Sequence, residues 1–325
     1  MTNLQSDPLH ALKAADVETR AGGPDAAVES RLGARKASVR RLLRQRSAVV
    51  GLIIIAGLFL VAIFADVIAT HPPNLSMIGR EEGARPRIPP CIHILGCPAD
   101  QGQHLLGLDG NARDVFSRVV HGSRVSLVIG FATVSFAIIV GTLIGAVAGF
   151  LGNKTDGLLM RGMDVLLAFP ALLLALVIVT VLGANLVNAM FAVAIVSIPI
   201  YARVTRSSVL SVREQDYVTA ARALGDSSWN ILRRRVMPNA ITPLIVAATL
   251  GIGTAVLEVA ALSFLSLAAQ PPLAEWGTMI GNERNQIFTS PILILAPGVM
   301  LTLTVLAFNL LGDGLRDALD PRLSR

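Results

Sequence analysis

Lysine is nearly absent: Lys13, Lys36 and Lys154 are the only three in a chain of 325 residues. None of them follows a glycine, so the Gly-Lys pair with which a P-loop reaches a nucleotide's phosphates is missing. Charge as a whole is scarce, 15% of residues against 53% hydrophobic. That balance excludes an ordinary soluble globular domain. Cysteine is reduced to Cys91 and Cys97, which allow a single pairing.

What is present is long apolar runs, at about 47–70, 125–150, 165–182, 186–202, 240–268 and 291–312. Each is long enough to cross about 30 Å of hydrocarbon as a helix, which satisfies its own backbone hydrogen bonds in lipid. The expected fold is an all-α polytopic membrane protein with six transmembrane helices and both termini on one side. Arginine decides which side. Arg31, Arg35, Arg40, Arg41, Arg44 and Arg46 precede the first run, and Arg203, Arg206, Arg213, Arg222 and Arg233 to Arg235 cluster near the middle. These segments are expected in the cytoplasm. The segments at about 71–122 and 269–290 are expected outside. The net charge of +6 follows from this topology, and no nucleic-acid partner is implied.

The chain divides into a basic tail over 1–46, partly disordered and too late in its apolar run for a signal peptide. A first span over 47–70, an external loop over 71–122 and a five-helix core over 123–325 follow. In the external loop, Cys91 and Cys97 are expected to form a local disulfide. The alternative, a metal site of Cys91, His93 and Cys97, lacks a fourth ligand. Pro170, Pro199, Pro243 and Pro297 lie in or at the edges of apolar runs and suit kinked helices. Gly141 and Gly145 have the spacing of close helix contacts. Arg161 and Asp164 stand three apart and suit an intrahelical pair. Glu258 falls deep in LEVAALSFLSL with no other charge within a turn, the position of a group that lines a pathway or bonds a neighbouring helix.

The stretch EQDYVTAARALG, residues 214–225, is polar where its surroundings are apolar. It reads as a helix ended by Gly225, with Asp226 or Ser227 placed to cap a second helix. Tyr217, Ala220, Ala221 and Leu224 recur at three- and four-residue spacing, a small-residue face suited to a groove on a soluble partner. The motif resembles the cytoplasmic loop of ATP-binding-cassette importer permeases, which reads EAA, three residues, Gly, nine residues, I-x-L-P. It falls here on Thr219, Ala220, Ala221, Gly225, Met237 and Pro238, with Thr219 in place of the family's glutamate and Arg235 in place of its isoleucine. HLLGLDGNARDVFSRVVHGSRVSL, DGLLMRGMDVLLAFPALLLAL, LSFLSLAAQPPLAEWGTMI and LTVLAFNLLGDGLRDALDPR are similar to the dipeptide/oligopeptide permease C subunit. The resemblance covers about 32–325.

That resemblance implies a type I importer permease fold and a chain that is not itself an enzyme. It also implies a second homologous permease, two cytoplasmic ATPases holding ATP and magnesium, an external substrate-binding protein, and no cofactor on this chain. Coupling to an ATPase would fall to Tyr217, Thr219, Ala220, Ala221, Arg222, Leu224, Gly225 and Asp226. Glu258, Ser263 and Asn309 are the polar groups the spans offer to a translocation pathway for peptides. Nickel, haem or another small solute is the alternative cargo within the same architecture. A stand-alone secondary transporter or channel is the alternative of another class; it would show an inverted repeat and leave the polar island without a purpose.

Overall fold

In the computed structural model, residues 40–98 and 102–319 are described. Most of the segment expected to be a disordered tail lies outside them. The described chain is helical. The helices are α1 (Arg46–Ile63), α2 (Ala65–Ile68), α3 (Val115–Leu151), α4 (Asn153–Leu167), α5 (Ala171–Leu182), α6 (Leu186–Arg213) and α7 (Asp216–Ala223). A composite run, α8, joins Ser228–Asn230, a π-helical stretch Ile231–Val236 and Met237–Ala240. Then come α9 (Thr242–Phe264), α10 (Trp276–Glu283) and α11 (Ile292–Leu319). Among the described residues there is no β-strand, only isolated bridges in the segment between α2 and α3.

Five helices, α1, α3, α6, α9 and α11, are long and apolar enough to cross a membrane, and α4 with α5 makes a sixth span bent by 89°. Several boundaries differ from those read in the sequence, each for a visible reason. α1 ends at Ile63 because Arg124 of α3 donates to the Ala62 and Ile63 carbonyls at 2.9 and 3.2 Å, occupying acceptors that another helical turn would need. α3 starts eight residues before the expected core boundary at 123, where the Asp114 carboxylate accepts the Ser117 amide at 2.8 Å as an N-cap. Its 37 residues would measure about 55 Å at 1.5 Å each, well beyond the hydrocarbon.

α6 continues through Arg203 and Arg206 to Arg213 rather than leaving the helix near 202. Both arginines are held from α4: Arg206 by Asp156, with Nη2 to Oδ2 at 2.6 Å, and Arg203 by Asp164. The expected pair of Arg161 with Asp164 is therefore not the one formed. The cross-helix arginine satisfies Asp164 and leaves Arg161 exposed. Pro170 stands at the break between α4 and α5, and Pro243 at the first turn of α9, where a missing N–H costs no helical bond. Of these four prolines, Pro199 and Pro297 lie inside helices.

The bundle core is built on the contact of α3 with α6. A methyl group on Gly141 would come within 2.7 Å of the Tyr201 Cβ, and one on Gly149 within 2.9 Å of the Arg206 carbonyl. Gly145 faces Ala202 and Thr205 in the same way. The two backbones meet along a glycine stripe that admits no side chain. Gly141→Leu should overpack this seam by about 1–3 kcal/mol. The expected result is a lowered unfolding temperature of the purified chain. Gly157→Leu, where nothing lies within 4 Å of a added Cβ, should leave that temperature unchanged.

Candidate functional site

The two ends of the bundle carry different chemistry. At the end where α3 finishes, α7 and α8 fold together as a hairpin against α3 and α6. Their shared core is Val218, Ala221, Ile231, Leu232 and Val236, packed with Ala146 of α3 and Val209 of α6. Gly225 makes the turn at φ +81, a backbone conformation that glycine adopts without penalty. Ser227 then caps α8 through the Asn230 amide, and Asp226 accepts from the Asn230 side chain at 2.9 Å. Tyr217 and Asn239 tie the hairpin's two arms at 3.0 Å.

This geometry corrects one expectation. Ala221 does not lie on the face offered to a partner. It is 7% exposed and forms the inner face with Val218, three residues away. The outer face carries Tyr217, Ala220 and Leu224, with Thr219 and Arg222 beside it. Leu224 is 88% exposed, and Trp229, at the start of α8, is 69% exposed. Sequence reasoning missed Trp229, although one of only two tryptophans standing in a polar turn was a signal for it. Exposed aromatic and leucine side chains on a short two-helix element form a surface that water penalises and a partner's groove would cover.

Glu258 is half-buried on α9 and has no hydrogen-bond or ion-pair partner among the described residues; the buried Tyr201 phenol of α6 lies within reach of its charge. Asn309 is exposed on α11. Ser263, by contrast, does not line a pathway. It is 1% exposed, and its hydroxyl bonds the Ala269 amide at 3.3 Å and the Glu275 carboxylate. Its polarity is used to fold the chain onto itself.

At the opposite end the segments between α1 and α3 and between α9 and α10 meet. Arg118, fully buried, donates to the Pro73 carbonyl at 2.9 Å and to the Pro272 and Leu273 carbonyls at 3.2 and 3.3 Å. Glu283 of α10 accepts from Arg87 at 2.9 Å and from the Gly110 amide at 2.7 Å. Glu275 caps α10 by accepting the Gly277 and Thr278 amides, each at 2.8 Å; burial pushes its carboxyl above the usual glutamate range despite those bonds. Cys91 and Cys97 are joined in a disulfide with Cα atoms 5.4 Å apart, within the usual range. Both thiolates are thereby removed from the alternative metal set with His93. His104 sits between Asp114 and Glu81, 2.9 Å from each. Burial alone would push its imidazole down, but the two carboxylates outweigh it and hold the pKa above the ordinary histidine value.

Comparison with known proteins converges on one family. Residues 141–325 match the family described as binding-protein-dependent transport system inner membrane component, and residues 35–90 match the N-terminal transmembrane domain of oligopeptide transport permease C. A dipeptide transport system permease protein DppC of Alkalihalophilus pseudofirmus is 43% identical over 87% of this chain and 88% of its own length. A di/tripeptide transport system permease protein DppC of Pseudomonas aeruginosa is 48% identical over 69% of this chain and 74% of its own. A glutathione transport system permease protein GsiD of Pectobacterium atrosepticum is 43% identical over 68% and 73%. Among solved structures, the MetNI methionine ABC transporter in inward-facing conformations has a chain that superposes with TM-score 0.53 at 19% identity. The match covers 62% of this chain and 97% of that one, and at this identity it speaks for the fold alone.

The inner and outer faces of α7 should respond differently to substitution. Ala221→Leu is expected to overpack the hairpin core by about 1–3 kcal/mol and to speed its cleavage in limited proteolysis. Leu224→Ser, on the outer face, should leave the cleavage rate unaltered.

Proposed function

We propose that this chain, which belongs to the family of binding-protein-dependent transport system inner membrane components, forms half of a pathway that carries short peptides inward. It is a multi-pass permease subunit of an ATP-binding-cassette importer. The observation that carries the cargo assignment is the run of curated relatives named for dipeptides, di- and tripeptides and glutathione, itself a tripeptide, at 43–48% identity. The expected cargo is two or three residues long.

The remaining subunits follow from what this chain lacks. It has no Gly-Lys pair for nucleotide phosphates, which supports a reading in which two partner ATPases hold ATP and magnesium and this chain is a non-catalytic subunit. α4 buries no residue within the chain. Together with the exposed apolar side chains of α5, including Leu173, Val177 and Val181, it offers an uncovered face to a second, homologous permease. The α7–α8 hairpin seats Leu224, Trp229 and Tyr217 in a cleft of one ATPase. Arginines concentrated at the hairpin end support a cytoplasmic position for it, and for both termini, in a bacterial inner-membrane protein. The opposite end, with its disulfide, faces outward, where thiols oxidise, and receives an external binding protein.

ATP binding draws the ATPases together, and the hairpin passes that displacement to α6 and α9, the spans on either side of it. The spans move relative to the glycine seam, and the cavity changes the side to which it opens. Hydrolysis restores the resting state. Glu258 and Asn309 stand among apolar walls, where an unpaired carboxylate would attract the ammonium terminus of a peptide.

Two measurements test this. Leu224→Asp with Trp229→Asp should lower substrate-stimulated ATPase activity of the reconstituted complex at least tenfold while membrane insertion persists; undiminished stimulation would refute the docking role. Glu258→Gln should alter the uptake of labelled dipeptides or its dependence on pH. Unchanged uptake at every pH would remove Glu258 from the path.

A further inference from the structure

The end of the bundle opposite the hairpin contains a histidine–carboxylate cluster outside the spans. His71, His104 and Asp114 each present a ligand atom within 4.8 Å of the others. The Nδ1 atoms of both histidines face the same carboxylate oxygen, Asp114 Oδ1, at 4.0 and 2.9 Å. Their Nε2 atoms face a second carboxylate, Glu81, at 3.6 and 2.9 Å. The two rings are 5.0 Å apart and inclined at 39°.

Each feature of this arrangement suits a divalent transition metal. In a tetrahedral site with bonds of about 2.0 Å, ligand atoms stand about 3.3 Å apart. The observed separations of 2.9 and 4.0 Å bracket that value. Ligating histidines ordinarily donate their other ring N–H to a carboxylate, which fixes the tautomer and the ring plane. Glu81 stands at hydrogen-bond distance from the His104 Nε2, 2.9 Å, and faces the His71 Nε2 at 3.6 Å, a charge contact and not a hydrogen bond. Asp114 is held rigidly, because its second oxygen accepts from the Ser117 amide and hydroxyl at 2.8 and 2.6 Å and from the Thr70 hydroxyl at 3.3 Å. Thr70 Oγ1 also lies 3.0 Å from His71 Nδ1 and adds a fourth polar atom beside the three ligands. A cavity of about 520 Å³ lined by Glu81, His104 and the disulfide opens beside these two members of the cluster.

We propose that His71, His104 and Asp114 bind a late first-row divalent cation of the zinc class, with Glu81 as the carboxylate behind both imidazoles. Nitrogen-rich donors of this kind favour zinc over magnesium or calcium, which prefer all-oxygen sets. The ion would clasp the segment leaving α2 to the start of α3. The site is independent of the cargo assignment, because it lies in the loop outside the spans.

The test uses the full chain, purified with its co-purifying subunits, stripped with a chelator and dialysed against buffered zinc. Metal content is read by mass spectrometry and affinity by competition with a zinc dye. One zinc per chain is expected, retained in excess magnesium. His71→Ala should weaken binding by more than tenfold, and Glu81→Gln by about ten- to a hundredfold. Both side chains are partly exposed, and intrinsic tryptophan fluorescence reports whether Trp276, beside α3, keeps its place. Should His71→Ala fail to fold, Glu81→Gln alone decides. Wild-type protein that holds no more zinc than folded His71→Ala or Glu81→Gln protein would overturn the proposal and leave an imidazole–carboxylate ion-pair network only.

Discussion

The glycine seam between α3 and α6 is the contact on which the rest of the molecule depends. Helices in lipid gain little from burying apolar side chains, because the surrounding tails are equally apolar. They gain from close approach, and Gly141, Gly145 and Gly149 allow the backbones to meet along about two turns of helix. Once α6 is fixed on α3, its far end holds Val209 beside Ala146 and creates the crook into which the α7–α8 hairpin packs. The near end of α3 carries Asp114, Arg118 and Arg124 to the other surface. A single long helix thus links the α7–α8 hairpin to the loops at the opposite end.

Polar groups are distributed to serve that frame. In the span region several hydroxyls are returned to their own helix: Ser197, Thr205 and Thr304 bond the carbonyls four residues before them at 2.8 Å, whereas the buried Ser126 and Thr133 hydroxyls of α3 have no partner among the described residues. Charge is concentrated at the ends, where it closes long loops. Arg118 joins segments more than 150 positions apart in sequence by donating to their carbonyls. Removing a buried guanidinium of this kind would strand several acceptors at once. Glu258 is a half-buried carboxylate within a span, without a hydrogen-bond or ion-pair partner among the described residues.

The spans, their number and the helix–turn–helix form of the polar island were legible in residue order, because hydrophobic length and turn residues are local properties. So was the glycine spacing. The pairing of charges was not. Arg161 and Asp164 satisfy the helical-neighbour rule, yet Asp164 bonds Arg203, because a guanidinium arriving from another helix offered a better position than one on the same face. Ser263 reads as a polar group inside a span and is spent on Glu275 and Ala269. Ala221 reads as part of an exposed small-residue face and instead fills the hairpin core. In each case a residue's spacing named the helix and left its direction open.

Periodicity along one chain can state which residues share a face of a helix, and composition can state that the helix lies in a membrane. Neither can state what that face meets, since the neighbour is supplied by residues far away in the sequence. Thr70, His71, Glu81, His104 and Asp114 have no pattern between them in residue order. They became a cluster only when Arg118, the Asp114 cap and the bridges of the α2–α3 segment folded about 45 residues back onto the start of α3. The membrane fold could be read from local chemistry; the partners of each polar side chain required the closure of long loops, which only the folded bundle provides.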